Sequence, residues 1–137
     1  MIATEKIPIG ATATQELIVT EEMTVAHFHA AMPAVYGTPI MILHMENTAG
    51  SAISDYLPEC WVSVGTVVNV RHLAATPVGA KVTVKATVTG IEGNSVTFDV
   101  EAHDSTDKIG DGIHTRAAVD VERFLKRVNA KVAEVTE

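Results

Sequence analysis

Residues 38–57, TPIMILHMENTAGSAISDYL, carry the clearest helical pattern in the chain. Thr38 is placed to cap the helix and Pro39 to open its first turn. At helical spacing, Pro39, Ile42, Leu43, Ala49, Gly50, Ile53 and Leu57 fall within about 60° of one line. Glu46 sits at the centre of that apolar stripe, while His44, Thr48, Ser51 and Asp55 are predicted to face water. A carboxylate inside an apolar stripe is costly unless a partner or a task compensates it.

From Trp61 the period changes to two. Val62, Val64, Thr66, Val68 and Val70 share one face of a strand reaching Leu73, and His72 closes that row. Thr76-Pro77-Val78-Gly79 reads as a turn. Residues 81–89 alternate, with Val82, Val84, Ala86 and Val88 inward. Glu92-Gly93-Asn94 makes a hairpin, and residues 95–103 repeat the pattern with Val96, Phe98, Val100 and Ala102. A last strand, Ile109 to Phe124, sets Ile113, Thr115, Ala117, Val119 and Val121 on one face. Gly110 and Gly112 mark a bulge or a close backbone approach. The tail from Leu125 reads as a short, fraying helix. Upstream, a short edge strand is expected near Ile7, a first strand over residues 15–20, and a short helix or lid over residues 21–32 ended by Pro33.

These elements predict an α+β architecture: antiparallel strands joined by short turns, with one apolar face closed by the single long helix. The 137 residues suffice for one domain, taken as residues 1–137. Val and Ala dominate the apolar content, which suits layered strands. A net charge of −7 argues against a nucleic-acid partner. The lone cysteine, Cys60, fits a reducing cytoplasm. No signal-like segment and no membrane-length apolar run is present, so a cytoplasmic protein without a membrane partner is expected.

Three polar residues stand where apolar ones would be more natural: Glu46 in the stripe, His72 ending an apolar row, and Thr38 at a helix N-terminus, where an anion is stabilised. Packed together they form a trio able to hydrolyse an ester or thioester. Each also has a structural reading: Thr38 as a cap, His72 as a core histidine, and Glu46–His72 as a buried pair. His27-Phe28-His29 invites a metal ligand set, but adjacent helical positions point apart, so solvated histidines and no metal are expected.

The order Thr38, Glu46, Gly65, then Arg71-His72-Leu73-Ala74-Ala75-Thr76-Pro77-Val78-Gly79, resembles the fluoroacetyl-CoA thioesterase family of hotdog hydrolases. So do Ala102-His103-Asp104, Ile109-Gly110-Asp111-Gly112, His114-Thr115-Arg116 and Glu122-Arg123-Phe124. The similarity runs from about Gln15 to Val132 and rests on combined order and spacing rather than on one short motif. It implies a hotdog fold, a curled antiparallel sheet wrapped around one long central helix. It also implies a catalytic threonine, glutamate and histidine at Thr38, Glu46 and His72, a carbonyl-binding glycine at Gly65, and an acyl-CoA-site arginine at Arg116. Homodimers with active sites at the subunit interface follow from the same resemblance. No cofactor is implied beyond the CoA of the substrate. In the segment before Thr38, the family's aromatic lid residues fall on His29 and Met32, which points to a different acyl preference.

The expected activity is therefore hydrolysis of a small acyl-CoA thioester, with Glu46 as base or nucleophile assisted by Thr38 and His72. The alternative is a non-catalytic acyl-CoA or small-ligand binder using the same pocket. A hotdog hydratase is disfavoured because no Asp-x-x-x-x-His occurs.

Overall fold

The computed structural model describes residues 2–135. Five strands, β1 (Thr12–Ile18), β2 (Trp61–His72), β3 (Lys81–Glu92), β4 (Ser95–His103) and β5 (Lys108–Asp120), form one antiparallel sheet in the order β1-β3-β4-β5-β2. The helices are α1 (Val25–Phe28), α2 (Thr38–Ile53) and α3 (Val121–Val135). The open sheet curls around α2, the hotdog arrangement expected.

Period-two patterning fixes the centre of the sheet. Val82, Val84, Ala86 and Val88 of β3, with Val96, Phe98, Val100 and Ala102 of β4, are all buried and form the floor on which α2 lies. The two strands meet in a Gly93–Asn94 turn with Glu92 opposite Ser95. From α2 that floor receives Met41, Met45, Ala49 and Ile53.

Several expectations need correction. The buried line of α2 is centred on Met45 rather than Glu46, about 100° around the helix. Leu43 is 48% exposed, and Thr48, expected in water, is buried with its hydroxyl 2.7 Å from the His44 carbonyl oxygen and 3.0 Å from Gln15 Oε1. The sheet wraps more of the helix than one stripe, so after Thr38 the exposed positions narrow to the row Pro39, Leu43, Asn47 and Ser51. Glu46 lies at the seam between core and surface.

The last strand ends at Asp120, and residues from Val121 form α3, almost as long as α2. On β5 the side facing α2 carries His114 and Ala118, both buried, whereas Ile113 points outward at 47% exposure. Beyond its first residues, where Ile109 is buried, the strand turns His114 and Arg116 inward together with Ala118, while Ile113 faces out. β2 and β3 are not neighbours either. Residues 73–80 carry the chain past β5 and β4, a span of three strand spacings, about 14 Å. Residues near Ile7 form turns rather than a strand, with Ile7 itself in the core. β1 begins three residues before the expected position. The segment 21–32 folds as a short 3-10 turn and α1, pinned by Val25 N–H to the Val35 carbonyl at 3.0 Å and Gly37 N–H to the Met23 carbonyl at 2.8 Å.

β2 pairs only with β5 and leaves its other side open. Its register slips between Gly65 and Val67, and residues 65–69 are exposed in succession, Val67 and Val68 included. On the paired side the strands press close at Gly112, where any side chain would run into the Asn69 carbonyl and the Val70 backbone. Gly112→Ala is therefore expected to destabilise the fold by about 1–3 kcal/mol, measured as a lowered urea midpoint.

Candidate active site

Gly37, not Thr38, occupies the cap position of α2 and offers no side-chain cap. Thr38 is the first helical residue, and its hydroxyl is spent elsewhere: Oγ1 lies 2.7 Å from His72 Nδ1. That bond ties the start of α2 to the end of β2. The capping reading of Thr38 thus fails, and the hydroxyl is held beside an imidazole at the positive end of a helix dipole. His72 Nε2 is buried with no hydrogen-bond partner among the described residues. Burial lowers the His72 pKa, against a smaller opposing effect of the Ala74 backbone. The ring is accordingly neutral near pH 7.

Tyr36 packs behind this pair. It is fully buried, meets His72 edge-to-face at 6.3 Å, and stacks on His44, whose Nδ1 lies 2.5 Å from the phenolic oxygen. Burial raises the Tyr36 pKa and lowers that of His44, so both are neutral. A groove of about 300 Å³ opens in front, lined by Tyr36, Thr38, His72 and the chain after it.

Glu46 belongs to a second cluster. Two turns along α2, about 12 Å from Thr38 along the axis, its carboxylate lies against Gly65 of β2 and 3.7 Å from Arg116 Nη1 of β5. Arg116 is held by Ser63, donating from Nε to the hydroxyl at 2.8 Å and from Nη2 to the carbonyl at 2.7 Å. Its Nη1 stands 3.2 Å from His114 Nε2, and His114 Nδ1 lies 2.7 Å from the Val67 carbonyl oxygen. That geometry fits a neutral His114 donating from Nδ1 and accepting at Nε2. Burial is the main cause of its lowered pKa, the Val67 bond opposing it, Arg116 adding to it and Glu46 opposing it.

Of the residues picked from sequence, then, Thr38 meets His72 while Glu46 meets Gly65 and Arg116. The folded chain does not bring all of them together. His29 and Met32 are exposed on the segment after α1 and do not line the Thr38–His72 groove. Sequence reasoning missed Tyr36, Ser63 and His114. Arg116 and His114 share a parity on β5, so assigning that parity to solvent hid the histidine. Among the described residues, no group of three His, Cys, Asp or Glu side chains is placed to hold a metal ion.

The family model of FlK, the fluoroacetyl-CoA-specific thioesterase, matches residues 19–122. The chain belongs to that family. It is a thioester hydrolase. It is 37% identical over 134 residues to the fluoroacetyl-CoA thioesterase of Streptantibioticus cattleyicolor, covering 93% of this chain and 94% of the relative. A solved FlK structure superposes with a TM-score of 0.86 at 36% identity, over 90% of this chain and 96% of that one. A thioesterase-superfamily protein of Thermus thermophilus gives 0.85 at 33% identity, over 95% and 98%. A hot-dog-like protein of Thermanaerovibrio acidaminovorans gives 0.87 at 29% identity, over 96% and 97%.

Two outcomes follow for this thioesterase-family chain. Because His44, His72 and His114 have depressed pKa values in the fold, the unfolded chain takes up protons first, near pH 6.5. Their stabilising effect is complete above that pH and is lost as pH falls through it toward the folded values. Urea midpoints should decline between pH 7.5 and pH 5, and less steeply in His72→Asn. Separately, a Cβ on Gly65 would occupy the place of the Glu46 carboxylate, a movable side-chain end. Gly65→Ala should keep stability within about 1 kcal/mol while cutting thioester turnover on the order of 100-fold by displacing Glu46.

Proposed function

We propose that this protein hydrolyses small acyl-CoA thioesters as a homodimer, with each active site shared between protomers. The observation that carries the reading is the split of the site: Thr38 and His72 at one end of α2, Glu46 and Gly65 two turns away, and the open edge of β2 running between them. Antiparallel pairing of two β2 edges about Val68 and Asn69 sets Gly65 of one protomer opposite the partner's His72. The exposed valines at 67 and 68 would be covered by the same contact.

In that arrangement the thioester carbonyl lies between the two clusters. His72 Nδ1–H donates to Thr38 Oγ1, which leaves the hydroxyl hydrogen free to point at the carbonyl oxygen. Together with the N-terminal end of α2 and the Gly65 N–H, it stabilises the oxyanion of the tetrahedral intermediate. The Glu46 carboxylate, 3.7 Å from Arg116, drives attack on the carbonyl carbon, either directly or by taking a proton from water. Collapse expels the CoA thiolate, which takes the proton released by the water; on the direct route that water then cleaves the acyl anhydride with Glu46, freeing the acid and restoring the carboxylate. CoA enters as part of the substrate, and no other cofactor is needed for these steps. The absence of the family's aromatic residues at His29 and Met32 favours short acyl groups other than fluoroacetyl. This chemistry suits a cytoplasmic enzyme, and no helix among the described residues is long and apolar enough to cross a membrane.

The deciding experiment is complementation. Thr38→Ala and Glu46→Gln should each lower kcat for acetyl-CoA by about 10²–10⁴-fold. Refolding the two variants together should restore about a quarter of wild-type activity, because half the dimers are mixed and each mixed dimer has one intact site. A silent mixture, with mixed dimers verified by mass, would overturn the shared site. Undiminished turnover in Glu46→Gln would overturn the role of the carboxylate.

A further inference from the structure

The chemistry proposed above leaves one buried polar pair without a task, Tyr36 and His44. Helical spacing alone would turn His44 to solvent. It is half-buried instead, because β1 covers that side of α2. Thr48, one turn on, has its hydroxyl 3.0 Å from Gln15 Oε1 and 2.7 Å from the His44 carbonyl oxygen. The His44 side chain runs back toward the helix start, the direction helical side chains favour, and its Nδ1 meets the Tyr36 hydroxyl at 2.5 Å. Tyr36 precedes α2 by two residues, and its backbone is held on two sides. It bridges to Thr24 on one, and on the other its N–H donates to the Thr76 carbonyl at 2.8 Å.

The direction of the Tyr36–His44 bond follows from the state of the two rings. Burial holds the phenol above its usual pKa and the imidazole below its own, so both are neutral near pH 7. A phenol has one hydrogen to give, and His44 Nδ1 is the acceptor within its reach. His44 therefore carries its own hydrogen on Nε2. A buried hydroxyl deprived of such an acceptor shifts to find another, because leaving the bond unmade costs more than the bond contributes.

What would shift with it is His72. The backbone of His72 is fixed by β2 opposite Gly110, but its ring has a single hydrogen bond, from Nδ1 to Thr38 Oγ1 at 2.7 Å. One bond leaves an imidazole free to swing, and Nε2 has no partner among the described residues to stop it. The remaining restraint is the Tyr36 ring, edge-to-face at 83° with 6.3 Å between centroids, inside the range where aromatic rings attract. The same Tyr36 ring stacks on His44 at 13° and 5.8 Å. One imidazole grips the phenol, and the phenol braces the other imidazole.

We propose that Tyr36 is a positioning residue for thioester hydrolysis: anchored by His44, it braces the His72 imidazole in the orientation that serves Thr38. The proposal rests on the acyl-CoA reading above and gives His44, which has no step in that mechanism, an indirect part in it.

Substitutions at the pair separate bracing from direct chemistry. His44→Leu keeps bulk but removes the acceptor, and kcat for acetyl-CoA should fall about 10–100-fold with KM nearly unchanged. His44→Asn sets an amide oxygen close to the place of Nδ1 and should recover most of that loss. Adding Tyr36→Phe to His44→Leu removes the stranded hydroxyl and should return kcat to within about threefold of wild type. Tyr36→Leu, which takes away the brace itself, should reproduce the loss and keeps the test open if His44→Leu does not fold. The nitrogen NMR shifts of the His72 ring give a readout independent of turnover. They should change in His44→Leu and Tyr36→Leu and return toward wild type in the other two variants. A double variant no more active than His44→Leu, or His72 shifts unmoved by either leucine substitution, would overturn the bracing role. The expected pattern of shifts in a protein that hydrolyses no acyl-CoA would support the brace while overturning the thioesterase reading.

Discussion

The attraction between Glu46 and Arg116 is the constraint around which the sheet–helix seam is arranged. Their nearest charged atoms are 3.7 Å apart, longer than a good hydrogen bond, while Arg116 makes its short bonds to Ser63. The arginine is thereby fixed by neutral partners and supplies charge without occupying the carboxylate oxygens. A fully bidentate pair would be stronger as a bridge and less useful as a site, because its lone pairs would be consumed. The arginine side chain is 12% exposed and that of the glutamate 35%, so the cation bears most of the desolvation. Small residues at Gly50 and Gly65 keep the space in which this pair lies.

The same seam explains why β2 is an unusual strand. One of its sides is spent on β5, its inward positions near Ser63 and Gly65 serve charged neighbours, and its outer edge has no strand beside it. A free edge carrying adjacent valines is a hazard for a lone molecule. In the dimer proposed above, an identical edge would remove the hazard and join the two clusters in one contact. Stability and chemistry would then be coupled, since whatever loosened the edge would also separate Glu46 from Thr38 and His72.

Legibility in the sequence followed the local environment. β3 and β4, each buried on one face alone, display unbroken alternation, and their core residues were readable one by one. β5 was misread because its inward side holds His114 and Arg116, so the usual rule of apolar-inside pointed to the wrong face. On α2 the position of Glu46 was approximate for a related reason: the sheet covers so much of the helix that no single stripe dominates, and the methionines at 41 and 45 mark the true centre. Thr38, Glu46 and His72 were each conspicuous as polar residues in apolar settings. Their separation into two clusters was not, because the strand residues each one meets, His72 for Thr38 and Gly65 for Glu46, are set by the register of β2 against α2 rather than by helical spacing. The start of α3 was hidden by Val121, which continues the strand pattern of β5.

The unfinished start of α2 has a consequence for how this enzyme tolerates change. A capping side chain at the N-terminus contributes about 1 kcal/mol to an ordinary helix. Here the position belongs to Gly37, and Thr38 turns its hydroxyl to His72 instead. A serine or aspartate at 37 would bring its Cβ to 3.3 Å from the Met23 carbonyl, which anchors the segment carrying His29 and Met32. The helix therefore starts less stably than its sequence context would allow, and the obvious repair disturbs the flap that borders the groove. The start of α2 is thus fastened through the site, by the Thr38–His72 bond, and a change made there for stability is a change made to the groove as well.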